Sequence, residues 1–199
     1  MSLSLLSWRR SIAALYAHAR ADTHPERGWR HWRAGRDQLL AGHPESPLLP
    51  DDRKDFAGLP YAPYDPALRW ELPVKPVSTE RREVPTISDG VVPFERIGIV
   101  ELPDLGTLDV WWLDSYGGGV FVPVQDFNPA TYRSGRHLID TVKGADLGGR
   151  DGHLIVDLNF AYNPSSAYDP SWISVLPPPS NYLDASINAG ELLRPDPAG

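Results

Sequence analysis

The sequence predicts a mainly β protein, an antiparallel β-sandwich or flattened barrel that follows an N-terminal α-helical pair. Two observations support this fold class. Large apolar residues recur every three to four positions in the first 41 residues, whereas after Ala67 they tend to alternate with polar ones. Short candidate strands then follow one another without helices between them, which favours an antiparallel arrangement over an alternating parallel one.

The helical pair is predicted over residues 5–19 and 25–41. Its apolar faces are carried by Leu5, Leu6, Trp8, Ile12, Leu15, Tyr16, Ala19, Trp29, Trp32 and Leu39 or Leu40. Gly42, which is followed by a proline two residues later, is typical of a helix end. We expect residues 1–43 to form a helical segment that packs on the body, and residues 44–199 to form a single β domain with Pro-rich loops.

The β domain begins with proline-rich residues 44–66, which predict a packed loop with a short helical turn at 51–56. The candidate strands that follow are 68–77, 79–87, 91–102, 107–113, 119–124, 136–142, 153–158 and 182–189. Asp89-Gly90 predicts a tight primed hairpin turn, and the run Gly117-Gly118-Gly119 predicts another reversal. Prolines in these segments mark strand ends, edges or bulges, because proline cannot donate to a sheet.

Composition excludes several function classes. The chain has no cysteine, so disulfides, thiolate metal sites and a cysteine nucleophile are absent. The net charge is −7; seven arginines and two carboxylates give the first 36 residues +5, so the remainder carries −12. Such an acidic body repels phosphate backbones, and no nucleic-acid partner is predicted. No segment resembles a membrane span or a secretory signal, so we expect no membrane partner and a cytoplasmic location.

The second half of the chain concentrates polar side chains that can orient a ligand. Arg136 offers a planar fork for a carboxylate, supplied by Asp126, by Asp157 or by an acidic ligand. One interpretation is an internal polar network, and the other is a ligand cleft formed by residues 121–136 and 157–181. The candidate ligand-binding residues are Asp126, Tyr132, Arg136, Asp157, Asn159, Tyr162, Asn163 and Tyr168, with Asn181 as a further polar neighbour.

The preferred function is binding of a small polar or acidic ligand in this polar and aromatic cleft. The first alternative is a hydrolase that uses Asp126 or Asp157 as general base. The second is a protein-interaction module, in which the basic helices dock on an acidic partner and the polar network is structural. His137 and His153 could also meet on neighbouring strands beside an aspartate, as a metal site or an oriented base. No enzyme motif occurs, so activity stays open and no cofactor is predicted.

Several phrases resemble a known bacterial family. They include Phe121-Val-Pro-Val-Gln-Asp126, Asp157-Leu-Asn-Phe-Ala-Tyr-Asn-Pro164, Pro177-Pro-Pro-Ser-Asn181 and Ala189-Gly-Glu191. Together they resemble the family of unknown function DUF1684 over roughly residues 30–191. Members often show cysteines where this chain has Ser166 and Ser174, and a hydroxyl replaces neither a disulfide nor a metal ligand. The resemblance implies relatives without an assigned activity and supplies no catalytic residues.

Overall fold

Two long helices open the chain in the computed structural model, which describes residues 3–86, 90–172 and 175–194. Helix α1 covers Leu3–Ala21 and helix α2 covers Pro25–Gly42, so both predicted helices are present and slightly longer than expected. None of the helices in the described residues is both long and apolar enough to cross a lipid bilayer.

The two helices run antiparallel and in close contact. Gly35 of α2 faces Leu15 of α1, and a Cβ on this glycine would lie 2.3 Å from the Leu15 Cδ2 atom. Glycine therefore permits the close approach. Helix α2 starts at Pro25, whose fixed φ and missing N–H suit a first helical position. A short helix α3, Pro50–Lys54, follows where the Pro-rich loop predicts a helical turn.

Seven strands form two antiparallel sheets in the described residues, which confirms the predicted fold class. The strands are β1 Arg69–Pro73, β2 Arg81–Thr86, β3 Gly90–Leu102, β4 Gly106–Leu113, β5 Val120–Val124, β6 Arg136–Asp140 and β7 His153–Asp157. The larger sheet has the order β2-β3-β4-β5-β6, and the smaller sheet pairs β1 with β7. Short 3-10 turns lie at Pro66–Leu68, Thr141–Lys143, Leu158–Phe160, Ser165–Ala167 and Pro179–Asn181.

Hairpins connect the strands of the larger sheet. Strands β2 and β3 pair up to Thr86 opposite Gly90, while Ile87, Ser88 and Asp89 of the predicted primed turn lie outside the described residues. The reversal between β4 and β5 uses Gly117 and Gly118 at φ of 96° and 59°, as the glycine run predicts.

The predicted strand at 182–189 is wrong. Its alternate residues Leu183, Ile187 and Ala189 are buried as a strand pattern requires, but only Tyr182 forms a bridge, to Gln125. Backbone hydrogen bonds join this segment to residues 125–127 only as far as Ala185, whose carbonyl accepts from the Phe127 N–H at 2.9 Å, and side chains bond to the backbone at Ile187. The Ile187 N–H donates to Asp126 Oδ1 at 3.3 Å, and Asn128 Nδ2 donates to the Ile187 carbonyl at 2.9 Å.

The apolar core lies between the sheets, and the helices pack on the body through a second cluster. The core contains Val100, Leu102, Leu108, Val110, Val122, Val124, Leu138, Ile139, Val156, Leu158, Ala161, Leu183, Ile187 and Ala189. In the second cluster, Tyr16 and Trp32 of the helices contact Phe160 after β7, and Trp29 contacts Tyr61 and Tyr64. The Trp29 indole N–H also donates to the Asn159 carbonyl at 2.8 Å, which fixes α2 against the body.

Candidate functional site

Arg136, the centre of the predicted cleft, is enclosed by the protein. Its Nη2 donates to Asp126 Oδ2 at 2.8 Å, and its Nη1 donates to the Ala189 carbonyl and, at 3.2 Å, to the Glu191 carbonyl. The two side chains of the ion pair are each 1% exposed. Burial lowers the pKa of Arg136, and the Asp126 carboxylate opposes that change. Of the partners that the sequence allows, the structure selects the protein's own Asp126.

Asp157 and Asn159 form a separate network. Asp157 Oδ1 accepts from Asn159 Nδ2 at 2.8 Å, and its Oδ2 accepts from Arg69 Nη1 at 3.0 Å. Asn159 also exchanges hydrogen bonds with the Asp65 backbone, at 2.8 Å in each direction. Burial raises the pKa of Asp157, while Asn159 and Arg69 lower it. These contacts join β7 to the loop before β1, so the pair holds the fold together.

The other predicted polar groups have local partners. The Tyr132 hydroxyl lies 3.3 Å from the Ser166 carbonyl and side-chain oxygens. Asn181 is fully buried and donates to the Asp109 and Pro123 carbonyls at 3.0 and 2.9 Å. His153 Nδ1 lies 3.1 Å from the Arg150 carbonyl of its own turn. Within the described ranges, no three His, Cys, Asp or Glu side chains form a group able to hold a metal ion.

The last three predicted residues, Tyr162, Asn163 and Tyr168, do meet at a cavity, which we call the Arg36 cavity. Its volume is about 80 Å³, and it lies between α1, α2, β6 and the segment after β7. It is lined by Trp8, Ile12, Tyr16, Arg36, Leu40, Pro47, His137, Lys143, Ala145, Tyr162, Asn163, Pro164, Ser165 and Tyr168. Backbone hydrogen bonds between His137 and Tyr162, at 2.8 and 3.0 Å, attach this segment to β6.

Arg36 is held in the cavity wall by a buried ion pair. Its Nη1 donates to Glu191 Oε2 at 2.7 Å and to the Tyr61 hydroxyl at 2.5 Å, and its Nη2 donates to the Tyr168 hydroxyl at 3.2 Å. Tyr168 donates in turn to Glu191. Burial alone would lower the pKa of Arg36, but the Glu191 carboxylate and the two tyrosines hold it well above its usual value. The cation therefore persists beside the cavity.

His137 lies on β6 with its ring buried, and neither ring nitrogen has a hydrogen-bond partner among the described residues. Nδ1 is 3.7 Å from Asp140 Oδ2, a distance within ion-pair range and too long for a hydrogen bond. Lys143 Nζ lies 3.2 Å from the same oxygen. Burial and Lys143 lower the pKa of His137, while Asp140 raises it. Burial would raise the pKa of Asp140, but Lys143 and His137 bring it to about 2.

Tyr16 and Asn163 present two further polar atoms that have no hydrogen-bond partner in the part of the chain that the structure describes, the Tyr16 hydroxyl and Asn163 Oδ1. Tyr16 meets Trp32 edge-on at 5.8 Å between ring centroids. The Trp32 indole lies close enough to the hydroxyl to oppose in part the effect of burial on the pKa of Tyr16, but the two groups do not reach hydrogen-bond geometry. Burial raises the pKa of Tyr16, so the phenol is neutral. Asn163 Nδ2 donates to the Leu192 carbonyl at 3.2 Å, which fixes the amide orientation and leaves Oδ1 as a free acceptor.

A pH dependence of stability follows from His137. Histidine in an unfolded chain titrates near pH 6.5, whereas burial lowers the pKa in the folded protein. The unfolded state therefore takes up this proton first, and His137 costs stability progressively as the pH falls below about 6.5. We expect His137→Phe to reduce the loss of unfolding free energy between neutral pH and pH 5, measured by urea denaturation. A pH profile of His137→Phe equal to that of the wild type would contradict this assignment.

Arg36 and Glu191 are site residues that the sequence interpretation missed. Residues Trp29, Trp32, Arg36 and Leu40 are all buried in α2, at helical spacings of three and four. An arginine placed between Trp32 and Leu40 on the apolar face is a readable signal of a buried cation. Glu191 follows Gly190, at a position that the sequence treats as loop. The two partners are 155 positions apart in the sequence, so their pairing has no local signal.

Comparison with known proteins supports the fold and assigns no activity. A family described as "Protein of unknown function (DUF1684)" matches residues 54–192. The solution NMR structure of the uncharacterized protein from gene locus rrnAC0354 of Haloarcula marismortui is 29% identical in sequence, with a TM-score of 0.57. That match covers 84% of this chain and 93% of the other. No protein with a curated description matches the chain.

Proposed function

The chain belongs to the DUF1684 family of proteins of unknown function, and we propose that it binds a small polar ligand in the Arg36 cavity. One observation carries this proposal. Tyr16, His137 and Asn163 are each at most 4% exposed, line the same cavity and retain polar atoms without a partner among the described residues.

Buried polar groups without hydrogen-bond partners lower the stability of the folded state. A buried donor or acceptor without a partner costs about 1–3 kcal/mol, so folded proteins leave few of them. Three residues of this kind around one cavity recover that cost when a bound molecule supplies the missing donors and acceptors. A volume of about 80 Å³ admits a ligand of only a few heavy atoms. The proposal keeps Tyr162, Asn163 and Tyr168 and moves the centre of the site from Arg136 to Arg36.

The alternative functions gain no support from these contacts. A general base must reach substrate, but Asp126 is bound by Arg136 and Asp157 by Arg69, and neither aspartate lines the Arg36 cavity. A protein-interaction module of the predicted kind would use the positive charges of the helices to bind an acidic partner. In α2, Arg30 pairs with Glu26 at 2.6 Å on the exposed surface, so part of that charge is already neutralised.

Two tyrosine-to-phenylalanine variants test the proposal. The hydroxyls of Tyr16 and Tyr64 are both buried without a partner among residues 3–86, 90–172 and 175–194, but only Tyr16 lines the Arg36 cavity. We expect both variants to fold with at least wild-type stability, since neither loses a protein hydrogen bond. Loss of one ligand hydrogen bond, worth about 0.5–1.5 kcal/mol, should weaken binding about twofold to tenfold in Tyr16→Phe only. Binding is followed by amide chemical shifts of the full chain during titration with ethylene glycol, acetate, glycine and glycolate.

The matched variant separates binding in this cavity from weak surface association. Equal affinities of Tyr16→Phe and Tyr64→Phe for every probe would place the association elsewhere and overturn the proposal. The same conclusion would follow from titrations in which no probe shifts amides around Tyr162 and Asn163.

A further inference from the structure

The charges around the Arg36 cavity differ from those of the whole chain. The chain carries −7 overall, yet the described residues that line the cavity include Arg36 and Lys143 and no carboxylate. The neighbouring carboxylates lie behind them: Glu191 contacts Arg36 and is fully buried, and Asp140 contacts Lys143 and is 3% exposed. The groups that face the cavity are therefore cations, a neutral histidine, amides and phenols.

Both cations retain hydrogen-bond donors. A guanidinium has five N–H groups, and Arg36 directs three of them to Tyr61, Glu191 and Tyr168. The structure shows no hydrogen bond from the other two to a described residue, and the guanidinium lies over the rings of Trp32 and Tyr162. Lys143 is 60% exposed at the rim, with an ion pair to Asp140 as its contact there. An anion at the cavity would receive charge-assisted hydrogen bonds, which are shorter and roughly twice as strong as neutral ones.

The free acceptor imposes a second requirement. Asn163 Oδ1 can only accept, so a ligand that satisfies it must carry a donor. An ammonium group would meet Arg36 and Lys143 without a carboxylate to pair with, because no acidic side chain lines this cavity within the described part of the chain. A neutral hydroxyl avoids that repulsion. It can donate to Asn163 and also accept from the Tyr16 hydroxyl.

Resting on the function proposed above, we infer that the ligand of the Arg36 cavity is a small hydroxy carboxylate. The carboxylate is recognised by the free donors of Arg36 and Lys143, and the hydroxyl is recognised by Asn163 and Tyr16. Trp8, Ile12 and Leu40 supply the apolar part of the lining, which suits a short carbon skeleton.

Four probes of similar size separate the recognition elements when titrated into the full chain. Glycolate has both groups, acetate lacks the hydroxyl, glycine replaces it by an ammonium, and ethylene glycol lacks the carboxylate. We expect glycolate to bind most tightly. Acetate should bind about twofold to tenfold more weakly, the effect of one neutral hydrogen bond. Ethylene glycol should bind about tenfold or more weakly than glycolate, because it lacks the carboxylate that accepts the stronger charged hydrogen bonds. Glycine should also bind about tenfold or more weakly than glycolate, because its ammonium group would be repelled by the two cations.

A lysine variant with a matched control assigns the carboxylate contact. Lys143→Met should weaken the binding of glycolate and of acetate by about tenfold and leave the affinity for ethylene glycol unchanged. Lys54→Met removes another exposed lysine from an ion pair, with Asp51, outside the cavity, and should change none of the affinities. Both lysines are exposed at the surface, 60% and 72%, so both variants are expected to fold. Asp140 is buried and Asp51 is exposed, so Lys143→Met should lose some stability that Lys54→Met keeps, and urea denaturation of both variants precedes the titrations.

Failure of this inference differs from failure of the proposed function. If ethylene glycol binds as tightly as glycolate and the binding is weakened by Tyr16→Phe, the cavity binds polar ligands but not hydroxy carboxylates. If glycine binds as tightly as glycolate, the assignment of a neutral hydroxyl is overturned. If no probe binds in a manner sensitive to Tyr16→Phe, both the proposed function and this inference are wrong.

Discussion

Arg136→Met is expected to destabilise the folded protein by about 3–5 kcal/mol, because removing one member of a buried ion pair leaves the other charge buried. The partner is Asp126, whose side chain is 1% exposed. The substitution also removes the donors for the Ala189 and Glu191 carbonyls. In a chain of this length the change corresponds to a fall of about 2–4 °C in Tm per kcal/mol. Urea denaturation of wild type and variant measures the difference.

The matched control is Arg81→Met. Arg81 forms an equivalent ion pair with Glu95 at 2.8 Å, but its side chain is 74% exposed. The unfolding free energy of this surface variant is expected to stay within about 0.5 kcal/mol of the wild-type value. A folded Arg136→Met variant with near wild-type stability and weakened ligand binding would restore Arg136 as a binding residue, as the sequence predicts.

The fold could be predicted because its signals are local. Periodicity of apolar residues places both helices, and alternation places β3, β4 and their neighbours, since each pattern depends only on residues a few positions apart. The error at 182–189 shows the limit of this argument. Alternation correctly identifies which side chains are buried, but a ladder also needs a backbone partner along its whole length. Residues 125–127 supply one only as far as Ala185, and beyond it the side chains of Asp126 and Asn128 bond to the backbone at Ile187, a distant contact that no local pattern reveals.

The site was harder to predict because structural and ligand-binding polar groups use the same residue types. Arg136 and Arg36 are both buried arginines paired with a carboxylate, yet Arg36 lines the Arg36 cavity and Arg136 does not. Cavities arise from the packing of distant elements, in this case helices α1 and α2 against β6 and the segment after β7. The predicted ligand-binding residues therefore include the part of the wall that follows β7, Tyr162, Asn163 and Tyr168, whereas the helices are predicted to pack on the body.

Glu191→Ala is expected to have an effect of similar size on stability, about 3–5 kcal/mol, and to disrupt the cavity wall as well. Glu191 is fully buried and accepts from Arg36, Tyr168 and the Asn163 backbone N–H. Without the carboxylate, Arg36 loses the largest of the interactions that oppose its burial and keeps only Tyr61 and Tyr168, so its cation has no counter-charge in the core. Urea denaturation measures the loss of unfolding free energy. The control variant is Glu101→Ala, which breaks the half-exposed ion pair with Lys75 and should keep an unfolding free energy close to that of the wild type.

A double-mutant cycle separates the ion pair from the other contacts of Glu191. Arg36→Met removes the charge that Glu191→Ala leaves unpaired, so the double variant should be less destabilised than the sum of the single variants. The coupling is expected to exceed about 1 kcal/mol because the two side chains are in direct contact. Additive effects would show that Glu191 acts through Tyr168 and the Asn163 backbone instead. In that case Arg36 would not need Glu191 to remain buried, and its charge at the cavity would have to be held by Tyr61 and Tyr168.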